Sequence, residues 1–190
     1  MIVGISGSAT PQSSTDILIK EILSGAAGDK KQSRFYRLNE MRILPCQACG
    51  KSPEPDLCFF HDDAHKLLDD MARAQIIVFG SPVYFDSVSA QAKLFIDRSN
   101  CIRPANFANP QVQSFREPLF KGKTGGLILV AGDYGRFDSA LRTMRAFFLW
   151  AGIDIKFELT FKTKSFDSGE AGRDTDILEK AFQIGKSLRL

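Results

Sequence analysis

Six hydroxyl side chains crowd one short stretch near the start of the chain: Ser6, Ser8, Thr10, Ser13, Ser14 and Thr15. They follow the apolar residues Ile2, Val3 and Ile5 and precede Ile17, Leu18, Ile22 and Leu23, which recur at helical spacing. The stretch reads as a loop carrying a buried strand into a helix. Backbone N–H groups at a helix N-terminus lack partners and carry partial positive charge, so such a loop suits a phosphate. The hydroxyls add neutral donors, and no Lys or Arg occurs between Met1 and Lys20. The expectation is a phosphate cradle without a counter-cation. Ser and Thr are also ordinary N-caps, and Gly and Pro ordinary turn residues, so the loop does not decide by itself. It is not a dinucleotide fingerprint, because GISGSA lacks the G-x-G-x-x-G spacing, and no Gly-Lys-Ser/Thr follows to make it a P-loop.

The elements that must position this loop alternate along the chain. Strands are expected at 2–5, 33–37, 76–80, 125–131 and 154–161, with helices near 14–26, 62–74, 88–98, 137–151 and 174–188. Alternation of this kind indicates βαβ units and a parallel sheet. The runs IIVFG and LILVA are continuously apolar, as strands covered on both faces require. The expected architecture is α/β: a three-layer sandwich with a five-stranded parallel sheet in the order 2-1-3-4-5, one domain over 1–190. Ligands of such sheets sit at the carboxyl ends of the strands, so the loops after strands one, three and four should share chemistry. After strand three, Ser81-Pro82 reads as a turn and Val83, Tyr84 and Phe85 as an apolar aromatic tip, with Ser87 or Ser89 capping the next helix. After strand four comes AGDYGRFDS, a Gly-punctuated turn carrying Gly132, Asp133 and Tyr134. Hydroxyls in one loop and aromatics in two suit a ligand that is anionic at one end and flat at the other.

These two loops also carry a family resemblance. GSPVYFDSVSAQAKLFIDR resembles the GSPVYF…K.F.DR segment of the NADPH-dependent FMN reductase and iron–sulfur flavoprotein branch of the flavodoxin-like superfamily. GISGSATPQSST is similar to that family's G-S-P-R-x-x-S-N-T phosphate loop. The resemblance implies a flavodoxin-like fold and FMN as cofactor, with NADPH or NADH as electron donor. It places Ser8, Thr10, Ser13, Ser14 and Thr15 around the FMN phosphate, and Pro82, Val83, Tyr84 and Phe85 along the isoalloxazine edge. Gly132, Asp133 and Tyr134 approach the flavin's other edge. Thr10 stands where the family usually has Arg, and Ser14 where Asn is usual. A flavin stores electrons in its own ring while the protein supplies orientation and electrostatics, so no catalytic side chain is assigned.

Four cysteines pose a second question. Cys46 and Cys49 form CQAC, Cys58 follows, and Cys101 is distant. The iron–sulfur branch carries a C-x2-C-x2-C-x5-C run here, and its third position is Ser52 in this chain. A [4Fe–4S] cluster takes four thiolates. A fourth ligand would have to be Cys101, Ser52, His61 or a group from another subunit. A cluster-free loop is preferred over a cluster or zinc on three cysteines, and over a redox dithiol; no metal site is assigned. His61 and His65 read as a solvated helix start, with Asp62 and Asp63 complementing the dipole. The insertion 100–124 is expected to cover the flavin of the same or a neighbouring subunit.

The formal charge of +3 is too small to imply nucleic acid, and basic residues such as Arg34, Arg37 and Lys123 read as solvated faces. Most of the sixteen Phe are expected in the core. No apolar run approaches membrane-spanning length, and a strand starting at residue 2 leaves no room for a signal peptide, so a cytoplasmic protein is expected. The leading function is an NAD(P)H-dependent FMN oxidoreductase, a homodimer or tetramer that reduces a small-molecule acceptor. An electron carrier exchanging with protein partners is the alternative, disfavoured by the slightly basic pI of about 8.7. A flavodoxin-like binding module without flavin is a third.

Overall fold

Continuous apolar runs form the middle of the sheet. In the computed structural model, which describes residues 1–28, 32–49, 58–104 and 114–189, β1 (Ile2–Ser6) is buried along its whole length. It pairs in parallel with the edge strand β2 (Ser33–Arg37) on one side and with β3 (Ile76–Tyr84) on the other. Then follow β5 (Lys123–Ala131) and β6 (Ile153–Lys162), also parallel. The order is β2-β1-β3-β5-β6, with the two-residue β4 (Ser87–Val88) paired only to β3. Counting the five parallel strands alone, this is the expected order 2-1-3-4-5.

Alternate residues of each strand face opposite layers. Ile76 and Val78 pack with Leu18, Ile19 and Ile22 of α1 (Ser14–Ala27) and with α5 (Thr175–Ser187). Ile77 and Phe79 pack with α2 (Asp63–Arg73), α3 (Ala90–Arg98) and α4 (Asp138–Ala151). On that second face Phe79 meets Phe95 and Phe147 edge-on, at centroid distances of 6.0 and 5.5 Å. The Phe expectation holds only for part of the set: Phe79, Phe95, Phe120, Phe147, Phe148 and Phe161 are buried, while Phe59, Phe85, Phe115 and Phe166 are exposed. Four helices begin on a side-chain cap, from Ser13, Asp62, Ser89 and Asp174.

One expected turn is strand. β3 runs through Ser81 and Pro82 to Tyr84, because β1 has already ended opposite Gly80 and only β5 continues beside it. Where one ladder has ended, a missing proline N–H has no bond to lose. The turn comes later, at Phe85 and Asp86.

Two glycines set how closely α1 and α5 approach. A Cβ on Gly185 would lie 2.2 Å from the Ile22 carbonyl oxygen, and one on Gly25 would lie 2.2 Å from that of Phe182. The helices therefore touch backbone to backbone. Gly185→Ala forces them apart and should destabilise the protein by about 3 kcal/mol, read from its urea unfolding midpoint.

The edge strand is tied down by a buried acid. Asp70 on α2 is fully buried and accepts hydrogen bonds from Arg34 (2.5 Å), Arg73 (2.8 Å) and the Tyr36 hydroxyl. Burial pushes its carboxyl upward, but the hydrogen bonds from Tyr36, Arg34 and Arg73 outweigh this and hold it below the ordinary 3.8. A depressed folded pKa gives stability that is present above 3.8 and lost as pH falls through the folded value. Asp70→Ala should cost about 2 kcal/mol at neutral pH, and should remove part of the acid-induced loss of stability below pH 4.

Candidate functional site

Four loops converge at the carboxyl ends of the strands. The first joins β1 to α1. Ser13 caps α1, its hydroxyl oxygen accepting from Asp16 N–H at 3.2 Å. Ser8 Oγ donates to the Thr10 carbonyl and accepts from Thr10 N–H, which closes the loop on itself. Gln12 takes a positive φ of 54°. Ser14 ties the loop to the chain after β6: its N–H donates to Ser168 O and its hydroxyl accepts from Ala171 N–H at 3.0 Å, which leaves the hydroxyl proton to donate. The N–H groups of Ser13 and Thr15 find no acceptor among the described residues, although both residues are buried. These are the orphan donors of a helix N-terminus. Against expectation, a cation stands beside the loop. Arg37, from the end of β2, is nine-tenths buried, donates to Ala9 O at 3.2 Å and pairs with buried Asp16. Arg37, Arg34 and Lys123, which donates to the Ala72 and Ala74 carbonyls, are anchored by fixed partners and not solvated faces. Sequence offered no signal for Arg37 at this loop, since Ala9 and Asp16 lie far from it in the chain.

The second loop is the β3–β4 hairpin. Its two turn residues, Phe85 and Asp86, have φ of 50° and 58°, values such turns usually obtain from Asn-Gly. The strain costs about 1 kcal/mol per residue, and at a cleft rim it marks a position held for use. Phe85 is fully exposed and Tyr84 half exposed. Asp86 accepts from Arg136 N–H at 3.0 Å, joining this hairpin to the third loop. Ser89 Oγ donates to Gly7 O at 2.6 Å, joining it to the first. The third loop carries Gly132, Asp133 and the fully exposed Tyr134.

A fourth loop, after β6, was not anticipated. Thr163, Ser165, Phe166, Asp167 and Ser168 close the cleft opposite the β3–β4 hairpin. The Glu170 carboxylate organises them, accepting from Lys164 N–H, Ser165 N–H and the Ser165 hydroxyl. These donors, the Ser165 hydroxyl first, hold the carboxyl below its ordinary value. Phe166 projects fully exposed from the tip. The hydroxyl-rich run TKSFDS was a usable signal, because the rule of carboxyl ends covers strand five as well as strands one, three and four.

Ser8, Thr10, Ser13, Ser14 and Thr15 line one end of the cleft, and Pro82, Val83, Tyr84 and Gly132 line its walls. Phe85, Asp133 and Tyr134 lie in its outward continuation with Phe166. The structure thus brings all twelve sequence-selected residues to one place. One end presents orphan N–H groups and hydroxyls, the other four exposed aromatic rings.

The model of the family "NADPH-dependent FMN reductase" matches residues 1–162. The chain belongs to this family. It is 33% identical over 149 residues to an iron–sulfur flavoprotein of Methanocaldococcus jannaschii, a match that spans 78% of this chain and 71% of the relative. Among solved structures it resembles a flavone reductase, with a TM-score of 0.68 and 20% identity over 98% of this chain and 61% of that one. It also resembles an azoreductase from Bacillus anthracis, with a TM-score of 0.66 and 15% identity over 98% of each chain. The fold is flavodoxin-like, and family membership makes the chain an FMN-dependent oxidoreductase. The donor set fits such a cofactor: buried, unpartnered N–H groups at a helix end suit a phosphate, and exposed rings suit a flat heterocycle.

The iron–sulfur relatives also imply a cluster. Among the described residues no three His, Cys, Asp or Glu side chains gather as a metal site. Cys58 Sγ accepts from buried Arg98 at 3.4 Å, and the Cys101 thiol donates to Arg98 O at 3.3 Å. Ser52, at the third position of the cysteine run, lies outside the described residues, as do 105–113 of the proposed flavin-covering insertion. Asp62 is not solvated: it caps α2 and pairs with Arg98 at 2.6 Å. His65 contacts the Cys58 carbonyl at 3.0 Å. Burial, with Cys58 and Cys46 nearby, pushes the Cys101 thiol up to about 11. At pH 8 its thiolate fraction is then on the order of 0.001, so iodoacetamide should label exposed Cys49 and leave Cys101 unmodified in mass spectra of the folded protein.

Proposed function

We propose that the protein takes electrons from NADPH or NADH and delivers them to a small, flat acceptor, using FMN held in the four-loop cleft. The observation that carries this reading is the cleft's polarity: orphan helix N–H groups and hydroxyls at one end, four exposed aromatic rings at the other. FMN, when bound, would supply the two-electron redox chemistry that no side chain of the cleft provides. The chain's residues bind and orient. Ser13 and Thr15 N–H, with the Thr10, Ser13, Ser14 and Thr15 hydroxyls, hold the phosphate, while Ser8 braces the loop through the Thr10 carbonyl. Pro82, Val83 and Gly132 wall the ring. Tyr84, Phe85, Tyr134 and Phe166 offer stacking area for the donor and acceptor and exclude water from the exposed face.

An acceptor that binds by stacking needs no charged anchor, which agrees with an aromatic mouth. The described residues contain no helix long and apolar enough to cross a membrane. Assembly as a homodimer or tetramer is part of the proposal, supported by apolar surface at Leu149 and Phe115.

The visible spectrum of the purified protein tests the reading, repeated anaerobically after adding NADPH and then NADH. A flavin spectrum bleached by either nucleotide is expected. A flavin spectrum that neither bleaches points to an electron carrier, and a colourless protein that takes up no FMN refutes the reading. Thr10 is exposed at the phosphate end, so Thr10→Glu should fold normally and weaken FMN binding at least about tenfold, while Thr10→Arg should tighten it severalfold. Fluorescence quenching on FMN titration measures both.

A further inference from the structure

Asp16 puts a carboxylate, 1% exposed, in the first turn of α1, the helix end that offers Ser13 and Thr15 N–H. An acidic residue three positions after a serine N-cap ordinarily completes a capping box, its carboxylate accepting from the N-cap's own N–H. Asp16 does not. Its Oδ1 accepts from the Ser6 hydroxyl at 2.5 Å, and its Oδ2 lies 3.1 Å from Arg37 Nε. Ser13 N–H is left without an acceptor among the described residues.

Both Asp16 Oδ2 and Arg37 Nε are buried and lack an aligned hydrogen bond, so charge holds them together rather than geometry. The rest of the guanidinium is fixed independently. One Nη donates to Ala9 O, and the other pairs with Glu40. Asn39 donates to the same Ala9 carbonyl at 3.2 Å, so the loop keeps a strap that does not depend on Arg37.

We propose that Arg37 is the positioning cation of the phosphate site, acting through Asp16. It draws the Asp16 carboxylate away from the α1 N-terminus and cancels its charge, which leaves Ser13 N–H free for a phosphate monoester. Without Arg37, a buried carboxylate stands at the helix end in the phosphate's place, satisfying the same donor and repelling a dianion.

This inference rests on the FMN reading of the cleft, and the experiment separates the two. Dissociation constants for FMN and for riboflavin are measured by fluorescence quenching on the full chain stripped of flavin, for the unaltered protein, R37Q, R37K and D16N/R37Q. Riboflavin lacks the phosphate and serves as the internal control. R37Q should weaken FMN at least about tenfold while riboflavin shifts by less than about twofold. D16N/R37Q should recover most of the loss, because the neutral amide neither repels the phosphate nor needs a cation, and R37K should keep most of the affinity.

An R37Q variant with unchanged FMN affinity overturns the proposal. So does a double variant as weak as R37Q, because Arg37 would then act only as a strap on Ala9. Equal affinity of the unaltered protein for FMN and riboflavin overturns the phosphate cradle and this proposal together. Where R37Q does not fold, D16N/R37Q decides: FMN affinity near that of the unaltered protein is expected, and a tenfold loss refutes the role.

Discussion

A sheet buried on both faces leaves the chain little choice of route. Every strand of the main ladder needs helices above and below, so each connection crosses over through a helix and returns in the same direction. All carboxyl ends therefore meet at one edge. β1 lies between β2 and β3, so the connections diverge there and leave a crevice between the loops. The cleft and its neighbours follow from that constraint, and the residues at its rim are free to vary in chemistry without disturbing the core.

Rigid loops are built here from a few hydrogen bonds between distant residues. Ser89 reaches Gly7, Ser14 reaches Ala171, and Asp86 reaches Arg136. Each bond joins one loop to another element, so the four loops are braced as a set. This bracing explains how Phe85 persists with a positive φ and how Phe166 stands fully exposed at the tip of an ordered turn. The stacking area at the mouth is thus organised before any ligand arrives, which lowers the ordering cost of binding.

Buried and half-buried acids follow one pattern. Asp16, Asp62 and Asp70 all lie on or at the start of α1 and α2, and each is met by an arginine from another element: Arg37, Arg98 and Arg34. A buried carboxylate is tolerated when it is paired, and an arginine on an edge strand or neighbouring helix supplies the pair without entering the apolar core. At Asp70 the result is an anchored edge strand. At Asp16 it is a helix N-terminus with its donors left open.

The sequence by itself determined the five parallel strands, their order, the helices between them and the twelve cleft residues. The strands and helices rest on local periodicity and turn chemistry, which neighbouring residues settle among themselves; the strand order rests on the doubly wound pattern, and the choice of cleft residues on the rule of carboxyl ends and the family resemblance. The loop after β6 was legible by the same rule. Only the tertiary structure decided that β3 carries Pro82 inside a strand, since that depends on where β1 ends. It alone decided that Arg37 stands beside the phosphate loop and that Arg98 joins Asp62 to Cys58. Those pairings connect residues 21 to 40 positions apart, as Arg37–Asp16 and Arg98–Cys58 show. A charged side chain looks solvated in sequence, and only the packing of distant elements reveals which charge has lost its water and needs a partner.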